Sequence, residues 1–69
     1  MTREWTEDGT VLVVMDIAES IAWHSGNEPY RAVVYEQARR WHDERGEPLE
    51  VIDCTGGVLF KYAFEEPPL

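Results

Sequence analysis

One short stretch of the sequence contains residue types that perform chemistry in many proteins. Residues 52–57 read IDCTGG, so an aspartate, the single cysteine of the chain and a threonine stand before two glycines. Three kinds of site have this composition: a cysteine nucleophile, an acidic group at Asp53, or a glycine loop that holds a phosphate. The residues around the stretch decide between these sites and a simple turn.

The neighbouring residues favour a turn. A phosphate loop needs glycines that lead into a helix N-terminus, whereas Gly57 leads into VLFKYAF, a run of β-branched and aromatic residues. A nucleophile at Cys54 needs a nearby base, and the only histidines, His24 and His42, lie far from it in the sequence. We therefore interpret 52–62 as a hairpin, with Cys54 as a small, half-buried strand residue.

No other set of residues has the spacing of a known site. The single cysteine cannot form an internal disulfide, and the histidines and acids lack the spacing of zinc ligands or of a calcium loop. His24 is interpreted as a residue at a helix C-terminus, where an imidazole interacts favourably with the helix dipole. We predict no catalytic residue, no cofactor and no metal site.

Two strand-like runs open the chain. Residues 2–6 and 10–17 flank Glu7-Asp8-Gly9, and an Asp-Gly pair between such runs predicts a hairpin. The first run is short and polar, so it is at best an edge strand. The second, TVLVVMDI, is apolar on both faces, which is typical of a central strand.

Two helices are predicted next. Asp16 and Glu19 have the spacing of a capping box before a short helix over 17–24. A longer helix begins at Glu28-Pro29, where proline suits the first turn, and ends near Arg45 at a glycine. At 100° per residue, its predicted core stripe comprises Tyr30, Val33, Val34, Gln37, Ala38 and Trp41.

The last third contains two further strand-like runs. A two-residue turn at Gly56 and Gly57 would pair Thr55 with Val58. The face turned toward the long helix would then carry Leu49, Val51, Asp53, Val58, Phe60, Tyr62 and Phe64. The apolar residues of the opposite face would be Ile52, Cys54, Leu59 and Ala63. That second face is too apolar to be left in water, which predicts a partner or oligomer surface.

These elements predict a small α+β fold. A chain of 69 residues is expected to form one domain, 1–69, with frayed tails at 1–5 and 65–69. The predicted sheet has three to four strands, is mostly antiparallel in ββ-α-ββ order with a short extra helix, and packs on one long helix. Because a core this small is marginal, we expect a homodimer.

The net charge of the chain limits the classes of partner that it can bind. The net charge is −8, which argues against direct binding of nucleic acid because phosphates are held by clustered Lys and Arg. The apolar run 11–15 is too short to span a membrane, and an unpaired cysteine agrees with a reducing compartment, so a cytoplasmic location is expected. Four arginines and three acids give 31–46 a charge of +1, and the remainder carries −9.

The leading hypothesis is a non-enzymatic interaction protein: an adaptor, inhibitor or regulator that binds another protein, in particular a basic one. Its predicted contacts are the second sheet face and a helix flank rich in Tyr and Arg, residue types common in binding hot spots. The predicted partner-binding residues are Arg31, Tyr35, Arg39, His42, Ile52 and Leu59. Two alternatives stay open: an acidic decoy that imitates DNA to occupy a nucleic-acid-binding protein, and a small ligand-binding or enzymatic domain that uses Cys54.

Overall fold

A computed structural model of the chain describes residues 1–63. Its elements, in chain order, are β1 (Thr2–Trp5), β2 (Val11–Val14), α1 (Ile17–His24), α2 (Glu28–Arg45), β3 (Leu49–Ile52) and β4 (Val58–Tyr62). The four strands form one mixed sheet in the order β1-β2-β3-β4. The two outer pairs are antiparallel and the central pair, β2 with β3, is parallel. The predicted α+β class is confirmed, and the ββ-α-ββ order is compatible with this topology.

The β1–β2 hairpin forms where the Asp-Gly pair predicts it. Thr6 N–H donates to the carbonyl of Thr10 at 2.9 Å, and the Asp8 carboxylate accepts from Thr10 N–H at 3.1 Å. Gly9 takes a φ of 87°, a left-handed conformation that suits glycine. Residues 2–5 pair along their whole length with β2, so they form the edge strand that the first run allowed and the predicted frayed tail at 1–5 is corrected.

Both helices have the predicted bounds, and their caps explain why. Glu19 N–H donates to the Asp16 carboxylate at 2.8 Å, and Asp16 N–H donates back to the Glu19 side chain at 3.1 Å, which completes the capping box of α1. At the start of α2 the Asn27 side chain accepts from Tyr30 N–H at 3.0 Å. Gly46 ends α2 with a φ of 67°.

The core lies between the sheet and both helices. Its buried apolar side chains are Val11, Val13, Met15, Trp23, Val34, Ala38, Leu49 and Val51. The prediction of a sheet packed on one long helix is therefore corrected: α1 contributes Trp23 to the same cluster as α2. The helices occupy one face of the sheet, and the other face carries no helix among residues 1–63.

The core stripe of α2 is rotated from the predicted one. Val34 is fully buried, whereas Val33, expected on the same stripe, is 60% exposed. The aromatic ring of Tyr35 packs 4.5 Å from that of Phe60 and 5.4 Å from that of Trp23. Periodicity within α2 could not reveal this rotation, because the cause is aromatic partners on α1 and β4.

The β3–β4 hairpin differs from prediction. Ile52 pairs with Val58, with a register shift beside it, so a five-residue loop, 53–57, replaces the two-residue glycine turn. The predicted Thr55–Val58 pair is therefore wrong. The shift moves Val58 to the face without helices, while Val51 still pairs with Phe60 on the helix side. Phe64 and the predicted frayed tail 65–69 lie outside the described residues.

Candidate interaction surface

A cavity of about 580 Å³ opens between α1 and the β3–β4 loop. Its walls are Ile17 and Ile21 on one side and Cys54 and Thr55 on the other, with His24 between them. It lies where the parallel strands β2 and β3 reach their carboxyl ends. That end of a parallel sheet is where α/β proteins commonly bind their ligands.

The cavity wall on α1 is the outward face of that helix. Trp23 is turned inward and buried, so the residues on the opposite side of the helix face water. Those residues are Ile17 and Ile21, which are 69% and 66% exposed. The helix therefore presents two large apolar side chains to solvent, four residues apart on one face.

Asp53 organises the polar part of the cavity. Its Oδ1 accepts from Thr55 Oγ1 at 2.6 Å, from Thr55 N–H at 2.9 Å and from Gly57 N–H at 2.9 Å. Its Oδ2 lies 3.1 Å from His24 Nε2. The bonds from the Thr55 hydroxyl, the Gly57 N–H and the His24 ring hold the pKa of Asp53 well below its ordinary value. The carboxylate is thus a loop organiser whose accepting oxygens are already engaged.

The loop is also tied to α1 through its backbone. Cys54 N–H donates to Ser20 Oγ at 2.9 Å, and Ser20 is buried. Cys54 itself is exposed in the loop, so the prediction of a half-buried strand residue is wrong. The wider loop is the cause, because it ends β3 at Ile52. Within residues 1–63 the Cys54 thiol forms no hydrogen bond, and the ring of His24 is held by Asp53 instead.

The open face of the sheet also carries apolar side chains at the carboxyl ends of β2 and β3. The register places Val14, Ile52 and Val58 side by side in one cross-strand row, with Thr2 at its edge. Val14 and Ile52 are half-buried, and Val58 is 56% exposed. Ile17 and Ile21 of α1, together with the cavity beside them, are called the α1–sheet surface below. Val14, Ile52 and Val58 lie on the face of the sheet that carries no helix among residues 1–63.

The next row of the open face is mixed. The register aligns Glu4, Leu12, Glu50 and Lys61 across the four strands. Glu4 and Lys61 are exposed at opposite edges, and Leu12 and Glu50 are half-buried between them. The mixed row thus contains two acids and one base, and it lies next to the apolar row of Val14, Ile52 and Val58.

The predicted helix flank is largely engaged within the fold. Arg31 Nε donates to the carbonyl of Trp23 at 2.9 Å, and its guanidinium lies 5.0 Å from the centre of the Trp23 ring. Tyr35 packs on the same aromatic cluster with part of its ring exposed. Arg39 is exposed and lies 3.7 Å from Asp43.

His42 does not lie on an exposed flank as predicted. It is only 5% exposed, its Nδ1 lies 2.8 Å from the carbonyl of Glu47, and its ring stacks on Tyr62 at 5.6 Å. The rotation of α2 explains the difference, since it turns this side of the helix toward β4. Of the two predicted sheet residues, Ile52 lies on the open face and Leu59 is half-buried against the core.

Sequence reasoning missed Ile17, Ile21 and the His24–Asp53 contact. The sequence does contain information about Ile17 and Ile21, because the capping box at Asp16 fixes where α1 begins. A helix that starts there places Ile17 and Ile21 on one face, and the burial of Trp23 in the structure leaves that face exposed. The His24–Asp53 contact joins residues 29 positions apart and depends on the loop geometry.

Comparison of the chain with protein-family models, with curated proteins and with solved structures found no match. Neither helix in the described part of the chain is long and apolar enough to cross a membrane.

Proposed function

We propose that this protein is a non-enzymatic interaction protein, an adaptor, inhibitor or regulator, which binds another protein through the α1–sheet surface. The observation that supports this most is the exposure of Ile17 and Ile21 beside a cavity of about 580 Å³. Grouped apolar side chains in water mark binding surfaces, and their burial contributes roughly 25 cal/mol per Å² of apolar area.

The chemistry of the cavity favours binding over catalysis. A cysteine nucleophile is activated by an adjacent base, and a general base is aimed at the proton that it removes. The carboxylate of Asp53 is instead held by Thr55, Gly57 and His24, and the thiol of Cys54 has no base bonded to it among residues 1–63. An apolar side chain of a partner fits such a cavity better than a reacting group does.

The partner contact is assigned to the α1–sheet surface rather than to the Tyr/Arg flank of α2. Arg31 and Tyr35 are bound to Trp23 and its neighbours, so a partner would have to compete for them. Arg39 remains accessible, but an exposed arginine paired with Asp43 contributes little by itself.

The net charge of −8 favours a basic partner. Two alternative partners are also proposed, and each predicts a different effect of salt on binding. A homodimer through Ile52 and its neighbours would bring two acidic copies together, so added salt should strengthen it. An acidic decoy would lose its partner steeply with salt and would compete with nucleic acid.

The test uses a matched pair of variants. Ile17→Ser/Ile21→Ser removes the apolar ridge of α1, and Val33→Ser removes a comparably exposed apolar side chain from α2. Wild type and both variants, checked for fold by circular dichroism, are used to capture proteins from nuclease-treated host lysate at low and moderate salt. We expect a stoichiometric partner that wild type and Val33→Ser retain and that the double variant loses. Equal capture by all three proteins would contradict the proposal.

A further inference from the structure

We propose that a second copy of this chain packs on the open face of the sheet, the face that carries no helix among residues 1–63. The two copies would be related by a twofold axis that runs along the strands, between β2 and β3. The inference goes beyond the proposed function, because the α1–sheet surface lies on the helix side of the sheet. The two helices of each copy would lie on the outer sides of the dimer, so each copy keeps that surface for a partner.

The two central strands are apolar on both faces. Val13 and Val51 are fully buried on the helix side. On the open face, Val14 and Ile52 are half-buried in the centre of the apolar row, and Val58 is 56% exposed at its β4 end. Strands that are apolar on both sides are typical of a sheet covered on both faces. Among residues 1–63 the helices supply only one of the two covers.

The mixed row selects a second copy as the other cover. Across the sheet it begins with Glu4 on the edge strand β1 and ends with Lys61 on the edge strand β4. A twofold axis along the strands turns this row end for end, so β1 of one copy lies over β4 of the other. Glu4 of each copy then meets Lys61 of the second copy, and an ion pair forms at each edge. The row is therefore complementary in charge to itself.

The rest of the open face suits the same axis. Val14 would meet Ile52 of the second copy, so the two apolar rows would cover each other. Glu50 would meet Leu12 of the second copy and keep Lys61, its neighbour across the strands of its own sheet, as a counter-charge. Sheets packed face to face commonly keep their strands within about 30° of each other. An axis across the strands that covers both rows would instead bury carboxylates against valines, which is costly.

Most of the net charge of −8 lies away from this face. The two rows comprise Thr2, Glu4, Leu12, Val14, Glu50, Ile52, Val58 and Lys61. They contain two acids and one base, so the face carries a charge of −1. Acids such as Glu28, Glu36 and Glu44 are exposed on α2, on the other side of the sheet. Repulsion between the copies is therefore long-range, and salt screens it.

The dimer should be weak because the face is small. Each strand contributes four or five residues. At about 3.3 Å per residue and about 4.8 Å between strands, the backbone of such a face measures roughly 15 Å by 15 Å. A standard interface buries about 800 Å² on each partner, which is more than this face offers. We expect a dissociation constant of tens to hundreds of micromolar, with tighter association as salt is added.

Exchange of charge between the two edges tests the pairing. Glu4→Lys brings two lysines together at each edge of the dimer, and Lys61→Glu brings two glutamates together. Each variant alone should self-associate at least about threefold more weakly than wild type. A mixture of the two restores a lysine–glutamate pair at both edges, so the mixed dimer should form about as tightly as the wild-type dimer. Sedimentation equilibrium of each protein and of the mixture, at about 150 mM salt, gives the dissociation constants.

Glu44→Lys is the matched control, since it makes the same change of charge at an exposed position of α2. It lowers the repulsion between copies and should associate at least as tightly as wild type. A second pair of variants tests the apolar row. Val58→Ser should weaken the dimer, whereas Val33→Ser, which changes a similarly exposed valine of α2, should leave it unchanged. Circular dichroism checks that all variants are folded.

A wild-type protein that stays monomeric at about 1 mM would overturn the dimer. A dimer that Glu4→Lys and Val58→Ser leave as tight as their controls would show that another surface is used, which also overturns the inference. A mixture that associates no more tightly than its separate components would overturn the proposed axis. The lysate capture with Ile17→Ser/Ile21→Ser, by contrast, tests the proposed function, because those residues lie outside this interface.

Discussion

His24, the last residue of α1, lies 3.1 Å through its Nε2 from Oδ2 of Asp53, the first residue after β3. The contact joins the end of a helix to the loop that faces it across the cavity. Because Oδ1 of the same aspartate accepts from Thr55 and Gly57, one carboxylate holds both the loop and the helix end. The shape of the cavity therefore depends on Asp53.

The stability of the protein should fall in acid because of Asp53. Its pKa is lowered in the folded state, so its contribution is present above its ordinary value of 3.8 and is lost as the pH falls toward the lowered pKa. Asp53→Asn keeps an accepting oxygen but removes the charge. In urea unfolding at pH 7 and pH 3, wild type should be the more stable protein at pH 7, and the difference should shrink at pH 3. A difference that is the same at both pH values would contradict this role.

Neighbouring valines of α2 should respond differently to truncation. Val34→Ala opens a gap in the core and should cost about 2 kcal/mol of unfolding free energy. Val33→Ala changes an exposed side chain and should stay within about 0.5 kcal/mol of wild type. Chemical denaturation of the two variants checks the rotation of α2. If Val33→Ala were the more damaging change, the described packing of α2 would be wrong.

Arg31 should contribute to stability rather than to partner binding. Arg31→Ala removes the hydrogen bond to Trp23 and the guanidinium–ring contact, and should cost about 1–2 kcal/mol. Arg39→Ala breaks only an exposed pair with Asp43 and should change stability by less than about 0.5 kcal/mol. Thermal unfolding compares the two. A stable Arg31→Ala protein that no longer binds its partner would restore the helix flank as the binding site.

The capping box should set the stability of α1. Asp16→Ala removes the acceptor for Glu19 N–H and should cost about 1 kcal/mol, whereas Asp16→Asn keeps an acceptor and should cost less. Hydrogen exchange of the α1 amides measures the effect locally. Unchanged exchange in Asp16→Ala would show that packing of Trp23, rather than the cap, holds the helix.

Local chemistry was enough to predict most of the elements. The Asp-Gly hairpin, the capping box and Gly46 act over a few residues, so the sequence carries their signals directly. The parallel pairing of β2 with β3 and the contribution of α1 to the core arise from contacts between distant segments, and no local pattern encodes them.

The candidate site was harder to predict for the same reason. The loop 53–57 has the glycines of a tight turn, yet the carboxylate of Asp53 stabilises a wider loop that moves Cys54 out of β3 and Val58 to the open face. His42 was misplaced because its aromatic partner, Tyr62, comes from β4. In both cases a partner distant in sequence decided where the side chain lies.

The most direct measurement replaces single residues with a photo-crosslinking amino acid. Benzoylphenylalanine is placed at Ile21, in the α1–sheet surface, and in a second protein at Val33, which is equally accessible on α2. Both proteins are irradiated with the partner recovered by affinity capture, and the crosslinked peptides are sequenced. We expect crosslinks from position 21 to one defined segment of the partner, and few or none from position 33. Efficient crosslinking from position 33 with none from position 21 would contradict the proposed binding surface.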